Sequence, residues 1–410
     1  MRKAAIVTIG DELMIGQIVD SNSAWIASWL DQQGWKVHIK SGIGDDHESI
    51  IETIRRCHEE VDLVITTGGL GPTRDDKTKD ALCTYYNTSL IWHEETWQRV
   101  LAILERIKRP PSELHKVQCY MPANAIILPN DQGSAPGMLF HHEGKYLIAV
   151  PGVPHEMKHL LTEKTKDLLP QGVPSEHRFI RTCGEGETVI AEMIADIESE
   201  LPSSITLAYL PSFSQVTLRL SQYGNTDILQ IADFEKRITT RLGHLVYGHG
   251  MTTLHKVLGE MLRNRNETIA IAESCTGGFL SHLFTSVAGS SDYFIGAFVP
   301  YAYRMKTSAL NIKEDELLQY GAVSQEVVTA MAENARQQLN VTWALSTSGI
   351  AGPGGGTPTK PVGTIWIACA GPSGTKARLL QLTRDRLSNI EYTAVSALVL
   401  LRNCMTLPGS

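Results

Sequence analysis

A serine set between an apolar run and a pair of glycines, in AESCTGG (Ala272 to Gly278), has the surroundings of a nucleophile. Ser274 would sit at a strand-to-helix turn, beside backbone N–H groups that lack intrahelical partners and can receive an oxyanion. Thr276 lies in the same turn, and Gly277 and Gly278 would let a substrate carbonyl approach. A serine also needs a base. No histidine falls in AESCTGG, PYAYRMK (Pro300 to Lys306), GAVS (Gly321 to Ser324), TSGIAGPGGG (Thr347 to Gly356), KPVGT (Lys360 to Thr364) or RDR (Arg384 to Arg386). Lys306, with Tyr301 just before it, takes that place, provided that burial or a neighbouring positive charge lowers its pKa by several units from about 10.4. Arg304 and Arg386 are available to supply such a charge. Cys275 reads as a small buried hydrophobe. Plainer readings stand beside these: Ser274 as a helix cap, Tyr301 as a half-buried aromatic, Lys306 as a solvated chain.

A second constellation lies near the amino terminus. GDELMIGQIVDSN (Gly10 to Asn22), TTGGLGPTRDDKT (Thr66 to Thr78), APGM (Ala135 to Met138) and PGVPHEM (Pro151 to Met157) stand out. A strand ending at Thr67 leads into Gly68, Gly69 and Gly71, whose amides can approach an anion, and then into Asp75 and Asp76. Glycines for a phosphate and carboxylates for a hard cation suggest a metal-assisted phosphate site, with Asp11 and Glu12 as further ligands. The plainer reading is a tight turn followed by a carboxylate helix cap.

These residues need elements to hold them. Apolar runs at Ala4 to Ile9, Val37 to Ile43, Leu63 to Thr67 and Tyr146 to Val150 read as buried strands, alternating with helical spacing at Ser23 to Gln33, Glu48 to His58 and Glu95 to Ile107. Such alternation implies a mainly parallel sheet covered on both faces, with ligands at the edge where the loops after the strands gather. Pro170, Gly172 and Pro174 mark a boundary. Residues 171–248 read as a small α+β module, including a helix from Asp227 to Leu242, and offer no clustered acids or bases. A third unit, 249–410, repeats the α/β pattern, with strands at Thr268 to Ala272, Tyr293 to Val299, Trp343 to Thr347, Thr364 to Ala370 and Ala377 to Leu382, and helices at Ser324 to Leu339 and Ser388 to Cys404. The expected fold is α/β: two three-layer α/β domains, 1–170 and 249–410, joined by a small α+β middle domain.

The 410 residues, 42% apolar and 20% charged, have the composition of a folded multidomain chain. A formal charge of −7 gives no basic footprint for nucleic acid. Seven scattered cysteines without a CxxC pair imply a reduced, cytoplasmic protein without structural zinc. The amino terminus is too short in apolar residues and too acidic for a signal peptide, and no run reaches the ~20 residues that span a bilayer.

GDEL, DSN, TTGGLGPTRDD, APGM and PGVPHEM resemble the molybdopterin-binding-type domain that opens CinA proteins. AESCTGG, the Tyr-to-Lys spacing, GAVS, GIAGPGGG and KPVGT resemble the CinA C-terminal domain, a nicotinamide-mononucleotide deamidase. The resemblance implies a bifunctional pyridine-nucleotide hydrolase. In the first domain a divalent metal (Mg, Mn or Co) would assist cleavage of the ADP-ribose pyrophosphate, with Gly68, Gly69, Gly71, Thr73 and Asp75 on the phosphates and Asp11, Glu12, Asp75 and Asp76 on the metal. The alternative there is molybdopterin or nucleotide binding without turnover. In the last domain Ser274 would attack the carboxamide, Lys306 would activate it and Tyr301 would assist proton transfer, without a cofactor. Thr276, Gly277, Gly278, Ser348, Gly352, Gly354 and Arg386 would contact substrate, Arg386 through the 5′-phosphate. Tyr303 stands where the family often has Asn, Ser348 where Thr is usual, and Glu391 where Arg is common. A homodimer is expected by the same analogy.

Overall fold

The computed structural model describes the backbone of residues 2–73, 75–224 and 228–406; Arg74 of the glycine loop and Asp227, the expected start of a helix, lie outside the described residues. The chain divides into two compact units, residues 1–176 with 223–226, and residues 177–222 with 227–410. The middle module and the C-terminal α/β fold thus share one unit.

The first unit contains β1 (Arg2–Ile9), β2 (Trp35–Ile43), β3 (Leu63–Thr67), β4 (Leu90–Trp92), β5 (Tyr120–Pro122), β6 (Ile126–Leu128), β7 (Gly137–His142) and β8 (Lys145–Val150). Six of them form one sheet in the order β2–β1–β3–β8–β7–β6, while β4 and β5 pair separately. Successive residues of β1 face opposite sides, and both sides are covered. Ala5, Val7 and Ile9 pack with Ile50, Ile54 and Cys57 of the helix His47–Glu60. Ala4 and Ile6 pack with Ile26, Trp29 and Leu30 of the helix Ser21–Gln32. The result is the expected three-layer arrangement, with the ends of β1, β3 and β8 at one edge.

In the second unit, β9 (Glu176–Cys183), β10 (Ile205–Ser212), β11 (Gln215–Gln222) and β12 (Val246–His249) form a sheet in the order β10–β11–β9–β12. Ile190, Ile194, Phe234 and Ile238 join its strands in a core of their own. The C-terminal sheet, built from β13 (Ile269–Glu273), β14 (Phe294–Phe298), β15 (Trp343–Gly349), β16 (Thr364–Gly371) and β17 (Gly374–Gln381), runs β14–β13–β15–β16–β17. Its largest core places Ile269, Ile271, Leu345 and Ile367 against Leu258, Phe284 and the terminal helix Arg386–Thr406. The opposite face is covered by Val327, Met331 and Ala335 of the helix Gln325–Gln338.

Both α/β sheets are parallel on one side and antiparallel on the other, a more mixed arrangement than expected. For two of the antiparallel pairs the cause is connection length. Glu143 and Gly144 join β7 to β8 with φ of 50° and 79°, and Pro372 and Ser373 alone join β16 to β17. A parallel crossover needs about a dozen residues or more, whereas a two-residue turn returns the strand antiparallel. All seven cysteines are free. No helix among the described residues is long and apolar enough to cross a membrane.

Gly363 closes the C-terminal sheet. It has φ of 90°, its amide donates to Ile350 O at 2.7 Å and its carbonyl accepts from Leu382 N at 2.9 Å. A Cβ there would lie 1.6 Å from Leu382 O, a backbone atom that cannot move aside. Gly363→Ala is expected to lower stability by about 3 kcal/mol or more, read as a fall in the thermal unfolding midpoint; an unchanged midpoint would contradict this close approach.

Candidate functional site

β13 is buried throughout, and its last residue is a carboxylate, Glu273, at 0% exposure. The charge is satisfied by the amides of Gly278, Leu280 and Ser281, at 3.1, 3.0 and 2.8 Å, and by the Ser281 hydroxyl. Glu273 therefore caps the helix Phe279–Thr285 from the strand side and holds the turn between them. This corrects the expectation that the helix amides beside Ser274 are free. The amides that bond to no other described residue are those of Cys275 and Thr276, within the turn itself. The Ser274 amide donates to Thr347 O at 2.9 Å, and Gly277 and Gly278 follow with φ of 61° and 102° and open space beside them.

Lys306 enters from the helix Tyr303–Leu310 and is 1% exposed. Its Nζ lies 3.1 Å from Ser274 Oγ, 2.7 Å from Pro300 O and 3.4 Å from Tyr301 O. Burial pulls its pKa from the ordinary 10.5 down to about 8. Arg304 and Arg386 are not the cause, which corrects that part of the expectation. The geometry suits a neutral amine whose two N–H bonds point at carbonyls while the lone pair receives the serine proton. Cys275 is 5% exposed, and burial pushes its thiol up to about 12, so it supplies no thiolate.

Other expected residues are placed differently. Tyr301 is 60% exposed. Its hydroxyl receives Arg386 Nη2 at 3.0 Å, while Arg386 Nη1 donates to Gly352 O at 2.7 Å. Tyr301, Arg386 and Gly352 thus meet, but the Tyr301 hydroxyl bonds to neither Ser274 nor Lys306. Ser348 is buried and donates to Ala322 O at 2.6 Å, so its hydroxyl holds the GAVS loop instead of facing a ligand. Thr276 Oγ1 is 2.7 Å from Thr347 Oγ1, and Gly354 has only open space beside it. Tyr303 takes part in the same loop, its hydroxyl accepting from Ala322 N at 3.3 Å. Lys360 donates to Tyr320 O and Val323 O at 2.9 and 2.7 Å, and Ser324 caps the helix that follows. Sequence reasoning missed Glu273, Thr347 and Lys360. A carboxylate closing an otherwise apolar strand was the available signal for Glu273.

In the first unit the singled-out stretches converge on a cleft of about 430 Å³ at the ends of β1, β3 and β8, lined by Gly10, Glu12, Asp45, Gly69, Asp75 and Gly152 among others. The glycine loop is partly occupied by its own chain. Asp76 accepts from the amides of Gly71 and Thr73 at 2.8 and 2.9 Å and from the Thr73 hydroxyl. Those two amides, expected on a phosphate, are filled by a carboxylate, and both Asp76 oxygens are engaged within the loop. Gly68 serves packing, since a Cβ on it would lie 2.1 Å from Ile9 O. The amides of Gly69 and Leu70 bond to no other described residue. Asp11 exchanges amide-to-carboxylate bonds of 3.0 and 3.2 Å with Asp45. Burial, together with the charges of Asp11, Glu12 and Asp75, raises the Asp45 pKa. Among the described residues no three His, Cys, Asp or Glu side chains are positioned to hold a metal ion. The expected ligand set Asp11, Glu12, Asp75 and Asp76 is therefore not assembled, and the residues present do not fit a preformed divalent-metal cage.

Lys306 also carries a stability consequence. Its folded pKa lies below its unfolded value, so folding disfavours the ammonium form at every pH below about 8, and that cost fades between about 8 and 10.5. Lys306→Met is expected to raise the unfolding midpoint at pH 7, with the gain vanishing as the pH approaches 10.5. A midpoint that falls at pH 7, or a gain independent of pH, would show that Lys306 is not held at this cost.

Comparison with known proteins now adds to the geometry. Residues 5–171 match the description "Probable molybdopterin binding domain", residues 177–248 the "Damage-inducible protein CinA KH domain" and residues 251–405 the "CinA C-terminal domain". The chain is 45% identical over 410 residues to a CinA-like protein of Cytophaga hutchinsonii, covering 97% of each chain. It is 40% identical over 405 residues to a CinA-like protein of Salinibacter ruber, covering 97% of this chain and 98% of that one. The crystal structure of CinA from Thermoplasma acidophilum, 30% identical, matches 41% of this chain and 98% of its own with a TM-score of 0.38. With relatives this similar over nearly their whole length, the chain belongs to the CinA family.

Proposed function

We propose that the C-terminal α/β fold is a serine–lysine amidase acting on the carboxamide of nicotinamide mononucleotide. The observation that carries this reading is the 3.1 Å contact between Ser274 Oγ and the buried Nζ of Lys306. Ser274 Oγ attacks the carboxamide carbon while its proton passes to Lys306. The carbonyl oxygen, now an oxyanion, is received by the amides of Cys275 and Thr276. As the tetrahedral intermediate collapses, Lys306 returns the proton to the departing nitrogen and ammonia leaves. Water then attacks the acyl ester, gives its proton to Lys306 and releases the acid form, and Lys306 reprotonates Ser274. Arg386 has N–H groups left over from Gly352 and Tyr301 for the 5′-phosphate. The Tyr301 hydroxyl, already accepting from Arg386, keeps its own proton to donate at the mouth of the site.

Base, nucleophile and oxyanion donors are all protein groups, so ammonia release should be indifferent to EDTA. It is expected to rise with pH through an apparent pKa of about 8, as Lys306 becomes neutral. Ser274→Ala and Lys306→Met should each lower kcat by about a thousandfold or more. Undiminished release by Ser274→Ala, or no release by the unaltered protein, would defeat the proposal.

For the first unit we infer a binding site for a phosphorylated ligand of the ADP-ribose or pterin-phosphate kind. The amides of Gly69 and Leu70 in the cleft, which bond to no other described residue, favour it. Because the carboxylates do not form a metal cage, binding is the reading put first, and metal-dependent cleavage of the ADP-ribose pyrophosphate is its rival. Calorimetric titration with ADP-ribose, with and without Mg, Mn or Co, followed by product analysis, separates them. Saturable binding with intact ligand supports the first, turnover that appears only with metal the second, and no binding defeats both.

A further inference from the structure

Among its described residues the middle module has no His, Cys, Asp or Glu group placed to hold a metal ion, yet one of its residues breaks the local rules. β10 and β11 pair with Ser212 opposite Gln215, so Phe213 and Ser214 are the whole turn. Two-residue turns are ordinarily built from Gly, Asn or Asp, and a phenylalanine there gains nothing from the turn itself. Ser214, not a glycine, adopts φ of 52°. A residue that breaks the local rule calls for a compensating contact.

The contact is with the C-terminal fold. The Phe213 ring meets Tyr392 of the terminal helix at 5.8 Å between centroids and 62° between planes. The Arg384 guanidinium lies against both rings, 5.3 Å from that of Phe213 and 5.7 Å from that of Tyr392, within the range of cation–π attraction. The turn is pinned alongside by Ser214 Oγ, 3.0 Å from Ser396 Oγ. The Arg384 backbone is fixed as well. Asn389, fully buried, donates through Nδ2 to Arg384 O at 2.8 Å and to Ala351 O at 3.0 Å. Next along the chain, Asp385 caps the terminal helix by accepting from Ser388 N at 3.1 Å. Arg386 follows, already bonded to Gly352 and Tyr301.

We propose that the β10–β11 turn is a brace for the substrate-binding wall of the C-terminal site, with Phe213 a positioning residue that acts on Arg386 through the clamped Arg384. The middle module is then a structural part of the amidase site. Phe213 touches no reacting atom; it restricts where Arg386 can place its guanidinium, and so governs how well the nucleotide phosphate is held. The brace rests on the amidase reading only in assigning Arg386 to substrate. Its mechanical half, the ordering of residues 384–389, stands apart from any reaction. A separate tie, Arg402 Nη2 to Val246 O at 2.7 Å, joins the module to the same helix, so loss of the ring leaves the docking intact.

The test uses the full chain in four variants, Phe213→Ala, Phe213→Tyr, Arg384→Gln and, as a control on docking away from the turn, Arg402→Met. Ammonia release from nicotinamide mononucleotide gives KM and kcat, and amide hydrogen exchange reports on residues 384–389. Phe213→Ala and Arg384→Gln are expected to raise KM about fivefold with kcat held within about twofold, to leave the pH profile unchanged and to speed exchange in that segment. Phe213→Tyr should restore both readouts, and Arg402→Met should move neither. An unchanged KM with unchanged exchange, or a fall in kcat at constant KM, overturns the brace. If the unaltered protein releases no ammonia, the amidase reading fails, and the exchange measurement decides the brace alone: faster exchange confined to 384–389 supports it, unchanged exchange removes it. Should Phe213→Ala fail to fold, Arg384→Gln, which alters only the clamped partner, decides between the same two outcomes.

Discussion

Two buried ionisable side chains, an acid and an amine, flank Ser274, and neither is paired with the other. Lys306 directs its Nζ at the carbonyls of Pro300 and Tyr301, and Glu273 gathers three amides and a hydroxyl from the next helix. An ion stripped of water must find such partners or shed its charge. Once these are found, the backbone around them has little freedom left. The chain between β14 and the helix Tyr303–Leu310 must turn two carbonyls inward, and the turn after β13 must present three amides backward. The serine sits where these demands meet, so its position follows from satisfying its neighbours.

This explains what could and could not be seen in the residues. Ser274 and Lys306 were legible because the stretches contain a nucleophile and lack a histidine, and the lowered lysine pKa was required by the chemistry. Which of the two expected causes acts was not legible, since burial depends on packing whereas Arg304 and Arg386 are visible in the string; the structure gives burial. The alternation of apolar runs with helical spacing revealed the layers of both α/β folds. It did not reveal which strands reverse, although the two-residue connection Pro372–Ser373 already forbade a crossover. By the resemblance Tyr301 was expected to assist proton transfer and Ser348 to contact substrate; in the structure the Ser348 hydroxyl donates to Ala322 O and that of Tyr301 accepts from Arg386. Spacing in sequence names the neighbourhood of a group; only the fold decides its partner.

The first unit shows the same limit more sharply. Glycines followed by paired aspartates resemble a loop waiting for phosphate and metal. Folded, Asp76 turns back and fills the amides of Gly71 and Thr73, as short acidic side chains in turns commonly do. What the loop still offers is narrower: the Gly69 and Leu70 amides beside Asp45, whose carboxyl pKa burial and its acidic neighbours raise.

A lysine base and a histidine base place different demands on a protein. Histidine titrates near neutrality in water, whereas on the proposed reading Lys306 becomes a base only because the fold withholds water from it, and that same withholding costs stability in full below about pH 8. The cost is borne by the rest of the unit. Its largest core joins β13 and β15 to the terminal helix and takes in Cys183 and Tyr247 from the middle module. A small module built around its own isoleucines thus lends two residues to that interior and one aromatic turn to Arg384, so the burial that lowers the Lys306 pKa and the packing of the middle module belong to one unit.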